Sequence, residues 1–425
     1  MNVNTLNFND QKITLSLYLL IFINYLGIFF SYNENFIIIL AYSIVIIFFI
    51  SIFLVNQNNY LLKCLMLVFL LFCLGSPTFH FDARWIWLFK GKQIFINNNL
   101  DFLREDYFQG LVWQSYPLLG PSLSSSLAKI FGYWNEVFPK TFNVILSLPP
   151  LIYLNSLIKK KINKLIFILI ILLVLEKSLI IGEMDGLVAI YFVTIFCIFF
   201  KKIFKNNFFS KKEDKFIFSK NEKLNVFFFI LSLITMTLLK KESLLLISIL
   251  VVSMIICKFY LEKIKLSYKY LIISSLCFLP LLSWELYLIN QSIFSTEHPT
   301  ISNIFKGDLI FLFERVTNFR DILSINSKIF LNKSFFISLV FLGFVLGGIA
   351  LEINNKLKNQ DFKLFILYFI LVFILYILAF NLIFLFTSYD LDFHLRTSAH
   401  RIMLPLSFLI SYISLVLIEK LSLYK

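Results

Sequence analysis

Four stretches of this sequence place ionisable side chains where apolar runs stop, and each could do chemistry. Asp82, in His80-Phe81-Asp82-Ala83-Arg84, directly follows an apolar run. A carboxylate fixed there could take a proton from a hydroxyl. An aspartate at that point would equally suit a solvated helix cap. The stretch continues as Trp85-Ile86-Trp87-Leu88-Phe89-Lys90-Gly91-Lys92. Rings and ammonium groups interleaved in this way predict a helix in a membrane interface, its lysines reaching outward. Arg84 and Lys90 would then be open to an anionic group of a substrate.

Glu183 and Asp185 sit in Gly182-Glu183-Met184-Asp185-Gly186, between two apolar runs. Acids at membrane depth are costly and are therefore suspects for function, although a hydrated turn is the plainer reading. Lys240-Lys241-Glu242 interrupts another apolar stretch. It is either a self-neutralising turn or a place where Lys240 and Glu242 meet a lipid phosphate. The fourth stretch gathers Asp390, Asp392, His394, Arg396, His400 and Arg401. If it turns helically, His394, Ser398 and Arg401 share a face at i, i+4 and i+7. Histidine and arginine together suit a phosphate leaving group. The alternative is that Arg401 pairs with Asp390 or Asp392 and shapes a loop. Histidines interleaved with arginines make a poor metal set, so no metal or other cofactor is expected.

The elements that must position these residues are apolar. Hydrophobic residues make up 59% of the 425, and only 15% are charged. Apolar runs recur from end to end, so the expected fold is all-α, one integral membrane domain over residues 1–425. A spanning helix needs about 20 apolar residues. Candidate spans are 13–31, 36–55, 60–76, 140–158, 164–181, 185–200, 224–239, 243–257, 269–290, 333–352, 363–386 and 402–418, a bundle of about twelve. Residues 164–200 as one helix would run about 55 Å against a hydrocarbon core of about 30 Å, so the run must break, and Gly182–Gly186 is the place. The same reasoning splits 224–257 at Lys240-Lys241-Glu242.

Lysine sets the orientation. Lys159, Lys160, Lys161 and Lys164 fill one short connection, and residues 201–223 hold eight Lys against three acids. Lys258, Lys263, Lys265 and Lys269, then Lys356, Lys358 and Lys363, then Lys420 and Lys425 follow on the same side. Lysine-rich connections mark the cytoplasm, which places both termini there. The opposite, outer side receives residues 77–139, the two short turns, 291–332 and the late loop 387–401. All six Arg and all four His fall on it, with four of the five Trp between Trp85 and Trp134. A guanidinium binds phosphate through a fork that lysine cannot copy.

The net charge of +14 is therefore a topology signal, and nucleic-acid binding is not expected. Cys64, Cys73, Cys197, Cys257 and Cys277 lie in or beside apolar runs without a C-x-x-C pair, so neither a disulfide framework nor a zinc site is expected. The first apolar run has span length and no small-residue cleavage site after it, so no cleavable signal peptide is expected.

The order of these elements resembles the bacterial branch of the GT-C glycosyltransferases, polytopic enzymes that use polyprenyl-phosphate-linked sugars. The D-x-x-x-I-W-x-x-K-x-K stretch is matched by Asp82, Ile86, Trp87, Lys90 and Lys92, and Y-P-L-L-x-P by Tyr116 to Pro121. G-x-x-D is matched by Gly182 to Asp185, and K-x-E by Lys240 and Glu242. Y-D-L-x-x-H-L-x-T-S-x-x-R is matched by Tyr389, Asp390, Leu391, His394, Leu395, Thr397, Ser398 and Arg401. Many relatives carry paired acids in the first loop, where Asp82 stands alone. The usual Asn and Gly around K-x-E are replaced by Lys241 and Ser243.

The resemblance implies inverting, mannosyltransferase-like sugar transfer at the outer face of the bacterial inner membrane. Asp82 would be the base, with Glu183 and Asp185 as further acids. Basic residues would hold the donor phosphate, and the acceptor would be a glycan, lipid or protein. A lipid-linked glycan polymerase or ligase is the second reading. A transporter or flippase is the third, though such proteins usually carry internal repeats and midplane charges, and neither is evident here.

Overall fold

The computed structural model describes residues 8–54, 60–78, 80–104, 115–203, 222–260, 272, 275–276, 278–293, 315–356, 360–387 and 390–421. Among these every regular element is helical. Fifteen of the described helices frame the site. The first three are α1 (Phe8–Phe29), α2 (Glu34–Leu54) and α3 (Tyr60–Gly75). After α3 a π-helical turn, Asp82–Leu88, runs straight into α4 (Phe89–Asn97), and α5 (Leu119–Lys129) follows. Next come α6 (Phe142–Ser156), α7 (Lys161–Ile170, extended by a π-helical turn to Leu175), α8 (Asp185–Ile203), α9 (Glu222–Leu239) and α10 (Ser243–Tyr260). The set closes with α11 (Leu279–Asn290), α12 (Phe319–Phe330), α13 (Lys333–Lys356), α14 (Gln360–Leu385) and α15 (Leu391–Leu421).

Among the described residues, four helical segments are long and apolar enough to cross a membrane: Lys12–Phe29, Glu34–Phe53, Phe362–Leu385 and Leu391–Glu419. The pair α12 and α13, bent by 64° at its break, makes a fifth if counted as one span. Shorter apolar helices cover Tyr60–Gly75, Asp185–Phe200, Val226–Leu239 and Ser243–Cys257. Both expected breaks are present. The chain turns from Glu176 to Gly182 before α8 begins at Asp185, and Lys240–Glu242 separates α9 from α10.

α8 and α15 form the centre. A helix that is apolar all round belongs in a protein core or in a membrane, and in α8 the side chains from Leu187 to Phe200 are buried in the core. The spanning segment of α15 is 89% buried, whereas that of α14 is 28% buried and presents Ile370, Ile374, Leu378 and Leu382 outward. A buried helical proline leaves a carbonyl unpaired, and at Pro150 a tyrosine supplies the missing donor. Pro150 cannot donate to the Leu146 carbonyl, which instead accepts from the Tyr191 hydroxyl at 2.9 Å. Pro405 likewise cannot donate to the carbonyl of Arg401, and the neighbouring Ile402 carbonyl accepts from the Tyr376 hydroxyl.

Two parts of the outer-side expectation read differently in three dimensions. Residues 391–401 are not a connecting loop but the first turns of α15, continuous with the expected span 402–418. The connection 77–139 contains α5, whose residues Leu119 to Lys129 are all buried. Two of its four serines bond inward: Ser124 to the Pro121 carbonyl, and Ser126 to both the Ser122 carbonyl and Asn24 Oδ1. α4 packs against it at Gly91, where a Cβ would lie 2.1 Å from Ser124 Oγ. The interfacial lysines divide: Lys92 is exposed, but Lys90 is fully buried rather than outward-reaching.

Candidate active site at one end of the bundle

The residues picked out from the sequence gather where α3 ends, α8 begins and α9 turns into α10. They come from several elements and pair across them. Asp82 opens the π-helical turn after α3, and its carboxylate meets the Arg401 guanidinium on α15 through Oδ2 and Nη1. The two side chains are 18% and 21% exposed. Arg401 therefore pairs with neither Asp390 nor Asp392. Asp390 instead caps the start of α15, accepting from the Phe393 N–H at 2.8 Å, and the Asp392 carbonyl accepts from Arg396 Nε at 3.2 Å.

Glu183 faces back toward the same stretch. Its Oε1 lies 2.6 Å from His80 Nδ1, a close polar contact outside hydrogen-bond geometry. Its carbonyl accepts from Asn143 Nδ2 at 2.8 Å. Gly182, just before it, has φ of +90°, a conformation that favours glycine. A Cβ there would lie 3.2 Å from Lys140 Cγ and 3.3 Å from Ala83 Cβ. The close pass sets the 176–184 turn against the residue next to Asp82. Lys140 holds the other side: fully buried, it donates from Nζ to the Ser76 carbonyl at 2.6 Å and to Ser76 Oγ at 3.1 Å.

Asp185, at the first turn of α8, accepts from Lys240 Nζ at 2.7 Å, and both side chains are nearly buried. Burial works against the Lys240 charge, but Asp185, Glu242 and Glu183 around it outweigh burial and hold its pKa above the ordinary value. Glu242 thus helps to neutralise Lys240 within the turn 240–242, while each member also has a partner outside it. Lys241 meets Glu285 of α11 at 2.8 Å, and Glu242 Oε1 accepts from the Tyr116 hydroxyl at 3.0 Å. Tyr116 is itself seated by Trp87, ring centroids 5.3 Å apart, and its carbonyl accepts from Lys90 Nζ at 3.2 Å. The neighbouring Ser115 carbonyl accepts from Trp284 Nε1 at 2.8 Å.

Asp82 and Arg401 thus touch directly, as do Asp185 and Lys240. Lys90 and Glu242 meet through Tyr116. Arg84 points elsewhere, half-exposed and 3.5 Å from Glu136. His394 packs against Phe384 with ring centroids 4.8 Å apart and the planes tilted by 52°, and Ser398 is half-buried one turn further along α15. The helical start of α15 puts both on the side of Arg401, as the spacing requires. His80, Tyr116, Lys140 and Asn143 are the members that spacing alone does not single out. A histidine two residues before Asp82 and a tyrosine before Pro117 were the only local signals. Nothing in the sequence marks Lys140 as buried. Among the described residues no group of three or more His, Cys, Asp and Glu side chains gathers as a metal site.

The arrangement combines a carboxylate, a guanidinium and a set of compensated buried charges on helix ends. It can orient a hydroxyl at Asp82, offer charged donors to an oxyanion at Arg401, and keep its walls fixed by ion pairs. No protein-family model, no curated protein and no solved structure matches the chain.

Proposed function

We propose that this chain is an inverting glycosyltransferase, moving a sugar from a polyprenyl-phosphate donor to an acceptor at the outer face of a bacterial inner membrane. About twelve spans would place both termini in the cytoplasm, with membrane lipid around the bundle and the donor's polyprenyl tail lying between helices. The observation that carries the reading is the contact of Asp82 with Arg401. It joins the acid of the first outer stretch to the basic end of the last helix, beside separate pairs that engage Glu183, Asp185, Lys240 and Glu242.

In the proposed reaction Asp82 accepts the proton of the acceptor hydroxyl as its oxygen attacks the sugar C1. The C1–O bond to phosphate breaks on the opposite face, so the configuration inverts. The bonding electrons leave with polyprenyl phosphate, whose growing negative charge Arg401 stabilises, with His394 and Ser398 nearby on α15. Lys240 and Asp185 hold the start of α8 in place beneath. Arg84 is exposed enough to meet the donor as it approaches.

The test is turnover: purified protein in lipid nanodiscs, offered a panel of polyprenyl-phosphate sugars with glycan, lipid and peptide acceptors. Transfer with inversion from at least one donor supports the reading. Joining of preassembled lipid-linked glycans without use of monosaccharide donors would favour a polymerase or ligase. Movement of lipid-linked sugar across a vesicle membrane without any transfer would favour a flippase.

A further inference from the structure

The proposed reaction gives Asp82 and Arg401 different tasks, yet in the structure they occupy each other. A carboxylate against a guanidinium is a weakened base, because the opposite charge favours its ionised form. A guanidinium against a carboxylate is in turn a partly filled anion site. The filling is incomplete. The contact runs from Oδ2 of Asp82 to Nη1 of Arg401, and Arg401 Nε is buried without a hydrogen-bond partner among the described residues. A guanidinium fork is satisfied by two parallel oxygens, which a phosphate brings.

We propose that Arg401 is an anion site with two rival occupants, the Asp82 carboxylate when the site is empty and a substrate phosphate when it is loaded, so that phosphate binding releases Asp82. The part played by Asp82 once released rests on the transferase reading, whereas the rivalry itself does not. Release on binding would confine a competent base to the loaded enzyme. With donor absent, an acceptor hydroxyl would meet a carboxylate already engaged.

The surroundings suit such an exchange. Both side chains keep about a fifth of their surface exposed, so each can turn without crossing the core. The other acids nearby contact partners of their own, Glu183 with His80 and Asp185 with Lys240. Arg401 is thus the basic residue here whose carboxylate partner has a second use. Asp82 opens a π-helical turn, a form often found at functional sites.

The rivalry is tested by binding to the full chain in nanodiscs, with polyprenyl monophosphate and inorganic phosphate as separate probes. Removing the internal rival should tighten phosphate binding, so Asp82→Asn is expected to lower the Kd roughly tenfold, within the usual range for coupled sites. Arg401→Gln should weaken it, and in Arg401→Gln the further change Asp82→Asn should bring no gain. A gain with both probes assigns the site to phosphate itself, and a gain with the lipid probe alone assigns it to the lipid headgroup. Equal or weaker binding of both probes by folded Asp82→Asn overturns the rivalry.

Should Asp82→Asn fail to fold, the unmutated protein answers through carbodiimide labelling of Asp82 read by mass spectrometry. Labelling should rise when polyprenyl monophosphate is added, and unchanged or lower labelling overturns the proposal. Sugar transfer by the unmutated protein, with no gain in Asp82→Asn, would remove the rivalry and leave the transferase reading. Tighter binding in Asp82→Asn, without transfer from any donor, would do the reverse.

Discussion

The Arg401 guanidinium rests against the Asp82 carboxylate, joining the final helix to the turn that follows the third. Replacement by lysine keeps the charge but loses the fork. Arg401→Lys should therefore lower turnover per folded molecule by on the order of 10²-fold, the usual worth of one donor to a developing oxyanion. The same exchange at exposed Arg104 should leave turnover nearly unchanged. His394→Ala should cost less than Arg401→Ala. Turnover and thermal unfolding measured on the same preparations separate this from a loop-shaping role, in which folded yield falls and activity per folded molecule does not.

Lys240 and Asp185 form a nearly buried ion pair at 2.7 Å. Removing one partner of such a pair strands the other and costs about 3–5 kcal/mol, while removing both costs far less. Lys240→Met and Asp185→Asn should each lower the unfolding temperature, and the double variant should recover more than half of the loss. Additive losses would mean that the two charges are held independently.

Gly182 and Gly132 both have positive φ, at +90° and +70°. They differ in surroundings, since a Cβ at Gly132 meets nothing within 4 Å while one at Gly182 meets Lys140 and Ala83. Alanine at either should cost about 1–3 kcal/mol of backbone strain. Gly182→Ala alone should also lower turnover per folded molecule, because it pushes on the residue beside Asp82. Equal turnover in the two variants would separate the 176–184 turn from the site.

Much of the scaffold is legible from apolar run length alone. The break before Asp185 follows from a run too long for one membrane crossing, and the turn at 240–242 from the same constraint. α5 is illegible by that rule. Leu119–Lys129 carries four serines, which read as loop, yet all four lie buried, Ser124 and Ser126 bonding back onto their own helix and Ser126 also onto Asn24. The composition of the late stretch showed a basic, helical face, but no local feature tells which acid Arg401 will meet. Asp390 and Asp392 are near in sequence, and α15 turns them elsewhere. Lys90 misleads for a similar reason. Beside Trp87 it resembles a snorkelling lysine, but Tyr116, brought in by a later segment, covers it.

The orientation rests on lysine asymmetry, and labelling tests it. In a cysteine-free background, single cysteines at 104, 298 and 392 should react with a membrane-impermeant reagent from outside. Those at 160, 212 and 358 should react only after permeabilisation. Position 185 is a poor reporter because Asp185 is buried against Lys240. Labelling of 104 and 212 from the same side would contradict the twelve-span arrangement.

The central claim is that Asp82 is the base of a sugar transfer, and Asp82→Asn tests it most directly. Asparagine keeps the size and can still accept a hydrogen bond, but it cannot take the proton. With any donor that the unmutated protein uses, Asp82→Asn in nanodiscs is predicted to fold while transferring sugar roughly 10²- to 10⁴-fold more slowly, the usual contribution of a general base. Transfer at the unmutated rate by folded Asp82→Asn would contradict the account, and loss of transfer in Asp185→Asn instead would move the base to the start of α8.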